Sequence, residues 1–196
     1  MGSWQSTAPR LPTANWQLPT LMTLHEFNIL PKPQLTEALL SCCGSVAWVE
    51  RMLPFVPADD IVELLEDAEE QWWKCTLGDW KEAFSHHPKI GDLASLEKKF
   101  GQGAAWSSAE QGAITQAAQQ VLEALANGNK EYEEKFGFIF IVCAAGKSAV
   151  EMLALLESRL PNDPAIEIEI AADEQNKITK LRLEKLLDVD MPEEGY

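Results

Sequence analysis

The sequence predicts an all-α fold, a single compact multi-helix domain with an extended N-terminal tail and one buried extended segment. Apolar residues recur at helical spacing over most of the chain, and residues that start and stop helices flank these stretches. Only one run, FIFIVCA from Phe138 to Ala144, has the composition of a strand, and no second run is available to pair with it. Because a lone strand cannot form a sheet, we expect this run to be extended chain buried among helices.

Composition shifts near both ends of the chain divide it into three parts. Residues 1–21 contain three prolines, one charged residue and no apolar period, so we expect an extended tail or a non-native leader. Met22 begins the stretch MTLHEF as a natural start would. We therefore expect a helical domain over residues 22–188 and an acidic C-terminal tail over residues 189–196.

The first helices are predicted from their caps. Thr23 and Glu26 have the spacing of a capping box, in which each residue satisfies the backbone N–H of the other. Pro33 suits the first turn of a second helix, because its missing N–H is not needed there. Gly44 is expected to end that helix and Ser45 to cap the next one.

The remaining helices are predicted from acidic first turns and apolar residues at helical spacing. We expect the long Ala- and Gln-rich helix, SSAEQGAITQAAQQVLEALANG, to end at Asn127-Gly128, since both residue types favour a helix C-terminus. The predicted segments are PADDIVELLEDAEEQWW, GDWKEAFSHH, SSAEQGAITQAAQQVLEALANG, SAVEMLALLESRL and DPAIEIEIAADEQNKITKLRLEKLL.

The charge of the chain restricts its partners. The 196 residues carry a formal net charge of -15, with a pI near 4.5. Nucleic-acid binding relies on clustered Lys and Arg, so DNA, RNA and anionic membrane surfaces are not expected partners. No apolar run approaches the roughly 20 residues that span a bilayer, and the start lacks a signal-peptide pattern. We expect a soluble, cytoplasmic protein.

The four cysteines, Cys42, Cys43, Cys75 and Cys143, form neither a CxxC pair nor a cluster with histidine. The sequence therefore predicts no zinc site and no disulfide framework, and we expect buried reduced thiols.

Two short motifs have both a functional and a structural interpretation. AAGKSA resembles a phosphate loop, but Ile141 stands where that motif needs glycine, so we expect Gly146 to turn the chain and Ser148 to cap a helix. In WSSAEQ, Ser107 with Glu110 and Ser108 with Gln111 both fit capping boxes. The alternative for WSSAEQ is contact with a substrate.

Arg182 lies in the apolar arc of its predicted helix, between Ile178 and Leu186. A guanidinium there is costly unless an anion meets it. The anion is either an internal carboxylate or a ligand that carries one, which the planar guanidinium fork suits.

His87 directly precedes Pro88, and proline disfavours the α conformation of the residue before it. We therefore expect the helix to end near His86 and His87 to turn away toward a pocket, where an imidazole can act as a general acid or base. The alternative is that both histidines only complement the helix dipole.

Five motifs occur in one order: CCGSVAWVERM, HHPKIGD, WSSAEQ, FGFIFIVCAAGKS and EQNKITKLRLEKL. With them the chain closely resembles the 2-oxo-4-hydroxy-4-carboxy-5-ureidoimidazoline (OHCU) decarboxylases over about residues 22–188. The resemblance implies an all-helical, cofactor-free and metal-free enzyme, usually a homodimer. Members of that family remove carbon dioxide from OHCU, which gives (S)-allantoin in the last step of urate breakdown.

The resemblance also implies roles for individual residues. His87 and Glu110 are expected to be catalytic and to move protons, and Arg182 is expected to bind the carboxylate. The other expected substrate contacts are Pro88, Ser107, Gln111 and the backbone of Phe138, Ile139, Phe140, Ile141 and Val142. His86 and Lys89 depart from the family pattern, so the role of His86 stays open.

Two other functions remain possible on the sequence. The first is a helical interaction module whose partner-binding face is formed by Trp72, Trp73 and Trp80, although large aromatic residues are more often core. The second is a different acid/base lyase or hydrolase that acts on a related ureido acid.

Overall fold

The computed structural model describes residues 21–87 and 108–188, and for residues 108–118 it describes the helical backbone alone. Within these ranges the chain forms α-helices and one short 3₁₀ helix, Leu53–Phe55, but no strand, which confirms the all-α prediction. The predicted tails, apart from Leu21, lie outside the described residues. The helices are α1 Leu24–Asn28, α2 Lys32–Cys43, α3 Val46–Met52, α4 Ile61–Trp73, α5 Leu77–Ser85, α6 Ser108–Phe136, α7 Ala149–Arg159 and α8 Pro164–Leu186.

The predicted caps of the first three helices are confirmed. Thr23 and Glu26 form both halves of the capping box of α1. Ser45 accepts a hydrogen bond from the backbone N–H of Trp48 at the start of α3. Gly44 ends α2 with a φ of 88°, a left-handed conformation that glycine adopts without strain. These local rules set the first three helix boundaries.

The predicted end of the long helix at Asn127-Gly128 is wrong, because α6 continues to Phe136. Gly137, with a φ of 75°, follows the true end. Gly128 has a packing role instead: a Cβ there would lie 2.7 Å from Cδ2 of the buried Leu156 on α7. The absent side chain lets α6 and α7 approach closely.

Helix α8 is the central element of the described fold and contacts α2, α4, α5 and α6. Its small residues Ala171 and Ala172 are fully buried, which lets neighbouring helices approach. The indole N–H of Trp72 on α4 donates to the carbonyl of Ala172 at 2.9 Å. Because a buried indole N–H needs an acceptor, this bond gives α4 a defined position along α8.

The segment Phe138–Ala144 runs through this helical fold without helix or strand pairing, as predicted, and side chains along it are buried. Its backbone polar groups bond to side chains instead. The carbonyl of Ile141 accepts from Arg159 at 2.8 Å, and the N–H of Cys143 donates to Glu174 at 2.6 Å. These bonds satisfy backbone groups that would otherwise pair with a neighbouring strand in a sheet.

Arg159 belongs to a buried polar cluster. Its guanidinium forms an ion pair with Glu167 at 2.6 Å, and both side chains are almost fully buried. The hydroxyl of Tyr132 donates to Glu167, and the amide of Asn162 donates to the same carboxylate at 2.7 Å. Loss of one partner from such a pair costs about 3–5 kcal/mol, because the other charge is left buried.

The cysteines are all free and buried, as predicted. Burial raises the pKa of the Cys42 thiol to about 12, so this thiol is protonated at neutral pH. Across residues 21–87 and 108–188, no helix combines the length and apolar character that crossing a bilayer requires.

The contact between Gly128 and Leu156 predicts the effect of a single methyl group. We expect Gly128→Ala to lower the free energy of unfolding by about 1–3 kcal/mol, because overpacking outweighs the better helix propensity of alanine. Thermal melting measures this change. Gly78→Ala on α5 is the matched control, since its added Cβ meets only an ordinary contact at 3.6 Å. Equal melting temperatures for the two variants would contradict the packing role.

Candidate active site

A cavity of about 380 Å³ lies among the end of α5, the segment Phe138–Ala144 and the C-terminal half of α8. It combines an apolar wall with an imidazole and two cationic side chains, which is a setting suited to a small anionic ligand. The lining residues are His87, Ile139, Phe140, Ile141, Val142, Cys143, Ala144, Ala145, Ile178, Leu181, Arg182 and Lys185.

His87 reaches this cavity because α5 ends just before it, as predicted. The last helical residue is Ser85, and His86 is the C-cap. His86 packs against α2, where a Cβ on Gly44 would lie 3.0 Å from the Cβ of His86. The two neighbouring histidines therefore have different surroundings, and His87 alone lines the cavity.

The imidazole of His87 is neutral at physiological pH. Burial is the largest cause that lowers its pKa from 6.5 to about 4, and the positive charge of Arg182 contributes to the same shift. A hydrogen bond of 2.5 Å between Nε2 of His87 and Oε1 of Gln175 acts in the opposite direction. The result is a histidine with an available lone pair beside a cation.

Arg182 donates from Nη1 to the carbonyl of Cys42 at 3.0 Å. No carboxylate within the described part of the chain lies at ion-pair distance from it, so the internal pair that the sequence allowed is not seen there. Burial lowers the pKa of the guanidinium, which nevertheless stays protonated. A guanidinium has five N–H donors, so it retains donors for an anion in the cavity.

The predicted FIFIV stretch divides between the cavity and the core. Ile139, Phe140, Ile141 and Val142 line the cavity. Phe138 is buried and packs on the ring of Phe84, with centroids 5.2 Å apart, and it is not a lining residue.

Four predicted site residues lie partly or wholly beyond the described structure. Pro88 and Ser107 are outside the described residues. Glu110 and Gln111 fall in the first turn of α6, but their side chains are not described. Their roles stay predictions.

Sequence reasoning missed several site residues on α8. Ile178, Leu181 and Lys185 line the cavity, and Gln175 bonds to His87. A signal for most of them was present, because Gln175, Ile178 and Lys185 lie seven, four and three residues from Arg182 and therefore share its helix face. Leu181 directly precedes Arg182 and has no such spacing.

The residues of the GKS motif have structural roles, as expected. Gly146 turns the chain with a φ of 70°. Ser148 and Glu151 form the capping box of α7, and the ammonium of Lys147 donates to the carbonyl of Cys143. Within the described residues, no group of three or more His, Cys, Asp or Glu side chains is arranged to hold a metal ion.

A family model described as OHCU decarboxylase matches residues 28–184 of the chain. The protein belongs to the OHCU decarboxylase family. Among solved structures, that of an OHCU decarboxylase in the presence of (S)-allantoin is 38% identical, with a TM-score of 0.62. The alignment covers 78% of this chain and 98% of that chain.

Two further relatives are similar to this OHCU decarboxylase family member. The uric acid degradation bifunctional protein TTL of Arabidopsis thaliana is 40% identical over 148 residues, 74% of this chain and 45% of that protein. The 2-oxo-4-hydroxy-4-carboxy-5-ureidoimidazoline decarboxylase of Amia calva is 39% identical over 106 residues, 52% of this chain and 57% of that protein. The chain thus spans about half the length of these relatives.

The lowered pKa of His87 predicts how stability depends on pH. The unfolded chain binds a proton near pH 6.5 and the folded protein only near pH 4, so this histidine makes the free energy of unfolding fall as the pH drops through that window. Denaturant titrations at several pH values measure it. We expect His87→Gln to flatten this dependence. Parallel curves for wild type and His87→Gln would contradict the shift.

Proposed function

We propose that this protein is a carboxy-lyase that removes carbon dioxide from OHCU and yields (S)-allantoin in urate degradation. The observation that carries the proposal is the pairing of Arg182 with the neutral His87 in one cavity of an OHCU decarboxylase family member. A cation for a carboxylate and a base for a hydroxyl proton are the two groups that the reaction needs.

The substrate supplies its own electron sink. When the bond to the carboxylate breaks, the electron pair forms a double bond to the neighbouring imine carbon, and the imine electrons move to the ring nitrogen, which takes a proton. The resulting enol then loses its hydroxyl proton, and the neighbouring carbon gains a proton on one face. The protein therefore needs no cofactor in this proposal, only orientation and proton transfer.

Each predicted residue except Phe138, which packs in the core, has a role in this scheme. Arg182 holds the carboxylate, and His87 together with Glu110 moves the proton of the hydroxyl. Ser107 and Gln111 hold the ureido and ring groups, and Pro88 directs the backbone at His87. The segment from Ile139 to Val142 supplies the wall against which the ring packs.

The charges in the cavity suit an anionic substrate although the whole protein is acidic. A net charge of -15 repels an anion at long range, so binding depends on the local cations Arg182 and Lys185. A carboxylate bound to Arg182 also offsets the positive field at His87. The pKa of His87 then rises toward neutrality, where a general base is more effective.

We also propose a cytoplasmic homodimer. The cytoplasm is supported by four buried free thiols, which are typical of a reducing compartment. The dimer rests on family resemblance, and sedimentation equilibrium measures it.

The interaction-module alternative is weakened by the packing of the tryptophans. Trp72 and Trp80 are buried, with ring centroids 6.0 Å apart, and Trp73 is 43% exposed. Trp72, Trp73 and Trp80 therefore do not form the continuous exposed face that this alternative requires.

The decisive experiment generates OHCU from urate with the enzymes that precede this step and follows circular dichroism. We expect the purified protein to accelerate the loss of OHCU and to produce optically active allantoin, because one face of the carbon is protonated. Related ureido acids in parallel assays test the other lyase or hydrolase alternative. Racemic product at the uncatalysed rate would refute the proposal.

Variants of the two neighbouring histidines should distinguish a catalytic role from a structural one. We expect His87→Asn to fold but to lose about 10²–10⁴ in turnover, the usual cost of removing a general acid or base. His86→Asn should keep its turnover, because His86 packs against Gly44 away from the cavity lining. Turnover and thermal melting are measured for both variants side by side. An equally large loss of turnover in His86→Asn would contradict the assignment.

Arg182→Lys tests the carboxylate clamp. An ammonium keeps the charge but cannot form two parallel hydrogen bonds to a carboxylate, so we expect KM to rise and kcat/KM to fall. Arg51→Lys on α3 is the matched control, because Arg51 does not line the cavity. An unchanged kcat/KM in Arg182→Lys would contradict the proposal that Arg182 binds the substrate carboxylate through two hydrogen bonds.

A further inference from the structure

The side-chain amide of Gln175 has a defined orientation. Its Nε2 lies 3.4 Å from the carbonyl oxygen of Cys43 and 3.2 Å from Oγ1 of Thr179. The carbonyl can only accept, and the hydroxyl of Thr179 already donates its proton to the backbone carbonyl of Gln175 at 3.0 Å. Both neighbours are acceptors, so the NH₂ end of the amide faces them.

The opposite end of this amide determines which nitrogen of His87 carries the proton. Oε1 of Gln175 lies 2.5 Å from Nε2 of His87, and an amide oxygen can only accept. Nε2 must therefore be the N–H of the ring. In a neutral imidazole the other nitrogen, Nδ1, then holds the lone pair.

We propose that Gln175 is a positioning residue that holds His87 in the Nε2–H tautomer, so that Nδ1 is the base that takes the substrate hydroxyl proton. This inference rests on the proposed function for its role in turnover, but the tautomer itself follows from the hydrogen bonds alone.

Burial makes this arrangement effective. Gln175 is fully buried on α8, and its partners come from the end of α2, the second residue after α5 and the next turn of α8. A reversed amide would place its oxygen against the Cys43 carbonyl and leave buried donors and acceptors unmatched. The packing of three helices thereby selects one tautomer.

The tautomer can be read directly by ¹⁵N-correlated NMR of the histidine rings at pH 7, where His87 is neutral. The chain has three histidines, and His25→Gln and His86→Asn assign the other two signals. We expect Nε2 of His87 to show the shift of a protonated nitrogen and Nδ1 that of an unprotonated one. A protonated Nδ1, or an even mixture, overturns the proposal.

Gln175→Met removes the acceptor while keeping an unbranched side chain. We expect a mixture of the two neutral tautomers of His87 and a fall in kcat of roughly 10- to 10⁴-fold. The upper limit is the loss that a wrong histidine tautomer causes in serine proteases, about 10⁴-fold. KM should change little, because Gln175 does not line the cavity. A pure Nε2–H tautomer in Gln175→Met overturns the proposal.

Gln71→Met on α4 is the matched control. Gln71 is also buried, and its Nε2 has no hydrogen-bond partner within the described structure. This variant should leave the His87 signals unchanged, and a change there overturns the link to Gln175. If Gln175→Met does not fold, the wild-type spectrum decides. Absence of OHCU turnover in the wild type refutes the function and leaves the tautomer result standing.

Discussion

The buried ion pair between Arg159 and Glu167 is the interaction on which the cavity depends. The segment Phe138–Ala144 has neither helix nor sheet bonds, so its polar backbone needs partners inside an apolar core. Arg159 supplies one of them at the Ile141 carbonyl and also lies 4.8 Å from the ring centroid of Phe140. One side chain thus joins the core to the apolar wall of the cavity.

Helix α8 connects this cluster to the chemistry. Glu167 pairs with Arg159 near its start, Gln175 bonds to His87 in its middle, and Arg182 enters the cavity near its end. These residues are seven or eight positions apart, which keeps them on one helix face. The wall, the imidazole and the cation are therefore positioned by one rigid element, as the orientation of a small substrate in the proposed reaction requires.

The electrostatics of the cavity explain how a histidine can remain neutral in an acidic protein. Lowering the pKa of His87 to about 4 is mainly an effect of burial, and Arg182 adds to it. Both effects come from packing α5 against α8. The surface charge of the protein, which dominates its composition, has little influence at this depth because its charges are solvated and screened.

The sequence by itself determined the helices whose signals are local. Thr23 with Glu26 and Ser148 with Glu151 cap through contacts three residues apart, and Pro88 restricts only His87, so these features were predictable. The family motifs also pointed to His87 and Arg182.

Only the tertiary structure decided that α6 continues past Gly128. There the space that a Cβ would occupy is filled by Leu156 of α7, so the glycine serves packing between helices and does not end one. The tertiary structure also decided the role of Gln175, whose amide orientation is set by acceptors on Cys43 and Thr179. Long-range contacts of this kind leave no local pattern, since their partners are brought together only by the packing of α2, α5 and α8.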